Sequence, residues 1–356
     1  MESVRGVAMK RVLVGMSGGV DSSVTALLLK EKGYEVVGVT MKLLNSKEYK
    51  ENTVTDAMAV CEKLGIEYHV VDFCDIFKKN VIDYFAGEYM AGRTPNPCNM
   101  CNRHLKFGAL LDAALNKFNC EYIATGHYAK IGFNEENGRY FLQKSKTDKK
   151  DQTYALYKLT QEQLSHVIMP LGDYEKEEIR EIATKNGLVN AKRQDSQEIC
   201  FVEDDDYVRF IKENYNYKPK PGNFVDKTGK VLGRHKGIIH YTIGQRKGLE
   251  IAFQKRMYVV NVDVAKNEVV LGDNEDLFKD SLVCEDVNFM AIPEINSPIS
   301  AFVKIRYSAK PEKATLIPLG DGNIKVVFDE PQRAITPGQS AVFYDGDIVL
   351  GGGTIR

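Results

Sequence analysis

Cys98 and Cys101 form a CxxC inside TPNPCNMCNRHLKF (Thr94–Phe107), and His104 follows at the same spacing. Two thiols and an imidazole so placed could be half a zinc site, a redox pair, cluster ligands or sulfur nucleophiles. Asn96 is a helix-capping residue type and Pro97 suits a first helical position, so the motif is expected to open a helix. Cys98 and Cys101 then share one face of its first turns, where the helix N-terminus favours thiolate. Leu105, Leu110, Leu111, Leu115 and Phe118 provide the apolar face that follows. Another cysteine, Cys200, stands in the polar stretch RQDSQEICFVEDDD, while Cys61, Cys74, Cys120 and Cys284 lie in or beside apolar segments and read as core thiols.

A second chemical feature is GMSGGVDSS, Gly15 to Ser23. Its glycines let backbone N–H groups approach an oxyanion closely, and its serines add hydroxyl donors. A helix beginning at Val20 would contribute its positive end, so the segment reads as a phosphate cradle. It lacks the Gly-Lys of a Walker loop and the G-x-G-x-x-G of dinucleotide folds. No lysine in the loop is placed to reach a terminal phosphate.

Strands alternating with helices must position these groups. RVLVGM (Arg11–Met16) reads as a buried parallel strand, and the helix after the Gly-Gly turn is expected to stop at Gly33. YEVVGVTMKL and EYHVVDF read as further strands, separated by a helix holding Met58, Cys61 and Leu64. CEYIATGHYA reads as a fourth strand. This alternation predicts a doubly wound α/β sheet with its ligand at the C-terminal strand ends, where Met16, Met41 and Gly126 fall. The region 160–200 reads as mostly helical. Beyond a Pro- and Gly-rich stretch with a DKTGK turn, short alternating strands to the C-terminus, with a turn at Asp345-Gly346, predict small β modules.

At 356 residues the chain should form two or three domains. A net charge of −1 gives no global attraction for nucleic acid, so RNA binding would need a local patch, such as Lys144, Lys146, Lys149 and Lys150. No apolar run is long enough for a membrane span and no leader precedes the first strand, which points to the cytoplasm. Seven scattered cysteines suit a reducing compartment.

The S-G-G-x-D-S after a first strand resembles the pyrophosphatase-type loop of ATP-adenylating enzymes. GMSGGVDSS, GVTMKL, GRTPNPC, ATGHYA, KDQTY, SQEICF, HYTIGQRKG, IRYS and ITPGQSAVFYDGD occur in that order over essentially the whole chain. Together they resemble the tRNA-specific 2-thiouridylases. The resemblance implies ATP-dependent sulfur insertion at C2 of the wobble uridine of tRNA, with magnesium. It also implies an adenine-nucleotide α hydrolase-like α/β domain over 1–205. A central β-rich tRNA-binding module over 206–275 and a C-terminal β-barrel over 276–356 would follow.

Carried over residue by residue, Gly15, Met16, Ser17, Gly18, Gly19, Val20, Asp21 and Ser22 would hold the ATP phosphates, while Met41 and Gly126 line the nucleotide pocket. Asn96, Pro97 and Cys98 would meet the target base. Cys101 would be the nucleophile and Cys200 the persulfide carrier. His127, Lys150, Asp151, Gln152, Arg306, Tyr307 and Gln339 match positions that touch tRNA. Adenylation would make the poor C2 oxygen a leaving group, and a persulfide on Cys200 would supply the sulfur. A protein donor, such as a cysteine desulfurase or relay protein, would be needed.

Many members of that family carry aspartate where this chain has Cys98. Cys98, Cys101 and Cys200 are therefore also a ligand set for a [4Fe–4S] cluster whose open iron would deliver sulfide. A zinc site with His104 is a third arrangement. A different ATP-adenylating ligase, or a nucleotide-binding module without catalysis, would need neither Cys101 nor Cys200.

Overall fold

The computed structural model describes residues 9–44, 47–191, 199–251 and 255–356. The chain folds into two compact units. One comprises residues 1–80, 99–196 and 347–349, and the other 81–98, 197–346 and 350–356.

In the first unit, β1 (Arg11–Gly15), α1 (Val20–Glu31), β2 (Glu35–Lys42), α2 (Lys47–Leu64) and β3 (Glu67–Asp72) follow in order. After α3 (Cys74–Phe77) the chain forms α4 (Asp83–Met90) of the second unit, then α5 (Pro97–Cys101) and α6 (Leu110–Asn116). It continues through β4 (Tyr122–Ala124), the hairpin β5 (Lys130–Asn134) and β6 (Arg139–Gln143), α7 (Gln161–Ser165), β7 (Val167–Ile168) and α8 (Lys176–Lys185). The parallel sheet has the order β3-β2-β1-β4-β7. Strand order therefore reverses between β1 and β4, the switch point at which such sheets open a crevice for ligand. Val12 and Val14 share a core with Val24, Leu28, Ile179 and Ala183. Leu13, of opposite strand parity, faces the other side.

Local chemistry explains the boundaries. The Gly33 N–H donates to the Lys30 carbonyl and the Tyr34 N–H to the Leu29 carbonyl. That pair of bonds, with Gly33 at φ +83, ends α1 as a Schellman motif. The expected fourth strand is only three residues long, and Thr125 onward is loop. The region read as helical from 160 to 200 contains β7, whose two residues pair with Ile123 and Ala124 and complete the sheet. A strand this short has no readable period. On α2 the buried residues are Ala57, Val60, Cys61 and Leu64, whereas Met58 is exposed.

The helix of the CxxC is not uniform. Between α5 and α6, residues 102–109 form a π-helical segment, which inserts an extra residue per turn. A Cβ on Gly108 would lie 3.0 Å from the Arg103 carbonyl oxygen, so the widened turn takes glycine there. This shifts the apolar register: Leu105, Leu110, Leu111 and Phe118 are buried as expected, but Leu115 is exposed.

In the second unit, α9 (Tyr207–Tyr215) precedes a sheet of β8 (Gly222–Val225), β9 (Val231–His235), β10 (Tyr258–Asp263) and β11 (Glu268–Gly272), ordered β10-β11-β8-β9. The DKTGK segment is its β8–β9 turn, with Gly229 at φ +87 and the Asp226 carboxylate accepting from the Thr228 and Lys230 N–H groups. Six further strands follow: β12 (Phe278–Phe289), β13 (Ile299–Lys304), β14 (Glu312–Pro318), β15 (Ile324–Arg333), β16 (Ser340–Asp345) and β17 (Ile348–Ile355). They run β12-β15-β14-β13-β16-β17, and pairing of β17 with β12 closes the barrel around Val303, Leu316, Val326 and Phe343. Among the described residues no helix is long and apolar enough to cross a membrane.

Candidate active site

The phosphate loop lies at the β1 end of the switch point. The Met16 N–H donates to the Val39 carbonyl, and the Thr40 hydroxyl donates to the Met16 carbonyl at 2.8 Å. These bonds tie the loop to β2, whose next residue is Met41. Gly18 sits at φ +69, and the Ser22 hydroxyl accepts from the Ser17 N–H and donates to the Gly19 carbonyl. The first-turn N–H groups of α1 point out of the helix end. Gly126, beyond β4, packs on the same turn. A Cβ there would lie 2.8 Å from Asp21 Cβ and 2.9 Å from the Ser22 nitrogen. Bare backbone on both sides of a helix N-terminus fits an oxyanion, and so a nucleotide's phosphates.

Three residues of this site were not found from sequence. Lys176, the first residue of α8, donates from Nζ to both Asp21 carboxylate oxygens at 2.8 Å. The Tyr128 hydroxyl donates to Asp21 Oδ1 at 2.8 Å. Asn190, buried, donates from Nδ2 to the Gly18 carbonyl and the Ser23 hydroxyl, while its Oδ1 has no hydrogen-bond partner among the described residues. Tyr128 stood in the singled-out motif ATGHYA. Lys176 carried one faint signal: a lysine at the start of a helix whose first turn also holds Glu177 and Glu178.

Several residues expected at tRNA hold this frame together. His127 is buried, 2.7 Å from the Thr125 hydroxyl and 3.4 Å from Lys106 Nζ. Burial, then the Lys106 charge, holds its pKa well below the usual 6.5. Gln152 accepts from the Tyr128 N–H through Oε1 and donates its own N–H to the Tyr128 carbonyl. Asp151 is buried and accepts from the Ser145 N–H and the Thr153 hydroxyl, whereas Lys150 is partly exposed. In the basic loop Lys144 pairs with Asp347 and Lys146 with Glu178.

Pro97 opens α5, as expected. Cys98 is exposed and Cys101 buried, three residues apart on the same helix. The segment before them is clamped. The Thr94 N–H donates to the Pro337 carbonyl, and Gln339 Nε2 donates to the Thr94 and Pro95 carbonyls at 3.0 and 3.2 Å. Gly338, at φ +89, leaves no room for a side chain against Thr94.

Cys200 is exposed, and its neighbours explain why. Phe201 is buried edge-to-face on Phe85 at 5.2 Å and packs on Phe210, anchoring the segment with the thiol outward. Residues 196–198 of the SQEICF motif lie outside the described residues. Arg306 donates to the Arg333 and Ala334 carbonyls, and Tyr307 is exposed beside Lys304. Of the expected core thiols, Cys61, Cys120 and Cys284 are buried, and burial pushes Cys61 up to about 12 and Cys120 to about 11. Cys74 is half-buried. Among the described residues no group of three or more His, Cys, Asp or Glu side chains is assembled to hold a metal ion.

The chain matches the family model described as the tRNA methyl transferase HUP domain over residues 10–204. Models described as the tRNA methyl transferase PRC-barrel domain and the aminomethyltransferase beta-barrel domain match 209–273 and 279–355. The chain is 54% identical over 355 residues to the tRNA-specific 2-thiouridylase MnmA of Clostridioides difficile, covering 98% of each chain. It is 54% identical over 357 residues to that of Acetivibrio thermocellus, covering 98% of this chain and 99% of the relative. Identity at this level along nearly the full length of both chains places the chain in the tRNA-specific 2-thiouridylase family.

Proposed function

We propose that the chain catalyses ATP-dependent 2-thiolation of the wobble uridine of tRNA. The observation that carries this is its full-length identity with relatives named for that activity. The phosphate loop at the switch point and the outward-facing Cys200 are consistent with it.

In this reading Gly15 to Ser22 hold the ATP phosphates, and Met41 and Gly126 border the nucleoside. The C2 oxygen of a splayed-out uridine attacks the α-phosphorus, and pyrophosphate leaves with the bond electron pair. Mg²⁺ would be held by phosphate oxygens and would neutralise charge there, both Asp21 carboxylate oxygens being already bonded to Lys176. Asn96, Pro97 and Cys98 receive the base on the segment clamped by Gln339. A persulfide on Cys200, loaded by a cysteine desulfurase or relay protein, attacks C2 with its terminal sulfur and AMP departs. The Cys101 thiolate then attacks the Cys200 sulfur. The disulfide to the product breaks, a Cys101–Cys200 disulfide forms, and thiouridine leaves as the thiolate. A dithiol reductant resets the pair.

His127, Lys150, Asp151, Gln152, Arg306, Tyr307 and Gln339 belong to the tRNA side, either touching the nucleic acid or holding the residues that do. The division into 1–205, 206–275 and 276–356 and a cytoplasmic site of action belong to the same proposal. A [4Fe–4S] cluster on Cys98, Cys101 and Cys200 is the alternative carrier of the sulfur. No step is routed through it.

The test is nucleoside mass spectrometry of tRNA from a deletion strain complemented with wild type, Cys101→Ser or Cys200→Ser. Both variants should lose 2-thiouridine by at least about 100-fold, the scale of a lost covalent catalyst. Undiminished 2-thiouridine with Cys200→Ser rejects the persulfide. Iron and acid-labile sulfide in anaerobically purified, active protein would instead support the cluster.

A further inference from the structure

The phosphate loop contains no lysine, yet a lysine reaches it. We infer that Lys176 is the cation of the phosphate site, the ammonium that meets the pyrophosphate half of ATP; this rests on the ATP-adenylating reading above.

The placement of Lys176 contradicts two local rules at once. Its side chain is only 7% exposed, although burying an ammonium is costly. It also occupies the first position of α8, where the positive end of the helix repels a cation. Glu177 and Glu178 follow the rule that Lys176 breaks, and Glu178 is occupied in the capping box and by Lys146. Such conflicts between local preference and structure concentrate at functional sites.

Its partner sharpens the point. Asp21 is the second residue of α1, inside the turn whose N–H groups face an incoming phosphate. A carboxylate there opposes a polyphosphate unless a cation neutralises it. Lys176 bonds both carboxylate oxygens at 2.8 Å and lies 5.8 Å from the centre of the Tyr128 ring. Tyr128 is itself held by Gln152 and bonded to Asp21. The ammonium of α8 is therefore held by groups on two other elements, α1 and the loop after β4. Asp21 is more open than Lys176, with its side chain 27% exposed, so an anion reaches the pair from the loop side.

The chemistry follows from the bond that breaks. When the α-phosphorus is attacked, the bridging oxygen leaves with the electron pair and the pyrophosphate gains charge. An N–H of Lys176 donates to that oxygen, while Asp21 keeps the lysine in place. AMP carries no such oxygen beyond the α-phosphate, and this separates the proposal from a purely structural ion pair.

The test is equilibrium binding of ATP and of AMP, each with Mg²⁺, to full-length wild type, Lys176→Met and Lys176→Arg. Lys176→Met should weaken ATP by about 10- to 100-fold, the worth of one charge-assisted hydrogen bond, and AMP by less than about twofold. Lys176→Arg should retain most of the ATP affinity. Equal loss for both nucleotides, or loss for neither, overturns the assignment. If Lys176→Met melts early, Lys176→Gln is read for the same ATP-over-AMP difference, and wild-type discrimination there also overturns it. Failure of the underlying reading looks different: wild type would release no pyrophosphate in response to tRNA.

Discussion

At the scale of single residues, the chemistry-bearing side chains were legible where their neighbours repeat a pattern. The glycines and serines of the loop, Pro97 at the start of α5, and Cys200 in a polar stretch all stand where their sequence context suggested. Lys176 and Asn190 were not found, because they lie 155 and 172 residues from their partners Asp21 and Gly18, and only Lys176 carries a local signal, its place at a helix start beside two glutamates. His127 was read as a surface contact and is buried, which gives it a measurable signature. The folded protein keeps His127 neutral, whereas the unfolded chain protonates it below about pH 6.5. The unfolded state therefore binds more protons as pH falls, and stability falls with it by about 1.4 kcal/mol per pH unit for one histidine. Urea midpoints at about pH 7.5 and about pH 5.5 should differ less for His127→Gln than for wild type. His235 and His240 also have lowered values, so part of the wild-type slope will persist. An identical pH dependence in the two proteins would count against a buried neutral His127.

At the scale of elements, the strand–turn–helix from Arg11 to Gly33 could be read almost to the residue, since an apolar run, a Gly-Gly turn and a glycine stop all agree. The period failed where backbone geometry departs from 3.6 residues per turn, in the π segment before α6, and where β7 is too short to show any period. What neither pattern announces is a contact between elements. Gly126 follows β4 and rests on the first turn of α1. Adding one methyl group forces either that loop or the phosphate loop to move, because the nearest atoms belong to Asp21 and the Ser22 backbone. Gly126→Ala should therefore cost about 1–3 kcal/mol of stability, as overpacking typically does. It should weaken ATP and AMP alike, since it displaces the turn proposed to hold the α-phosphate. Thermal melts and the two binding titrations check this, and an ATP-selective loss would assign the effect to the Lys176 side instead.

At the scale of the whole molecule, the second unit shows how distant strands hold the segment that precedes Asn96. Alternating short strands and the Asp345-Gly346 turn announced a β module, but barrel closure depends on pairing β12 with β17, which sequence does not encode locally. That closure is close-packed: a Cβ on Gly351 would lie 2.3 Å from the Asn288 carbonyl oxygen, and one on Gly353 2.8 Å from Cys284 Cβ. The far end of β17 then supports the clamp, because the Gly338 N–H donates to the Ile355 carbonyl and the Ile355 N–H to the Gln339 carbonyl. Gln339 in turn holds Thr94 and Pro95. A continuous path of hydrogen bonds, the last of them from the Gln339 side chain, thus runs from the barrel seam to the residues just before Asn96. Gly351→Ala should lower the urea midpoint by an amount equivalent to about 1–3 kcal/mol, because the obstructing atom is backbone and cannot swing aside. It should reduce tRNA thiolation while leaving ATP affinity within about twofold of wild type, the reverse of Gly126→Ala. Matching losses of ATP binding in the two glycine variants would refute the separation of a nucleotide-holding unit from a base-presenting one. A Gly351→Ala protein that thiolates normally at reduced stability would show that the clamp on Thr94 and Pro95 does not depend on the seam.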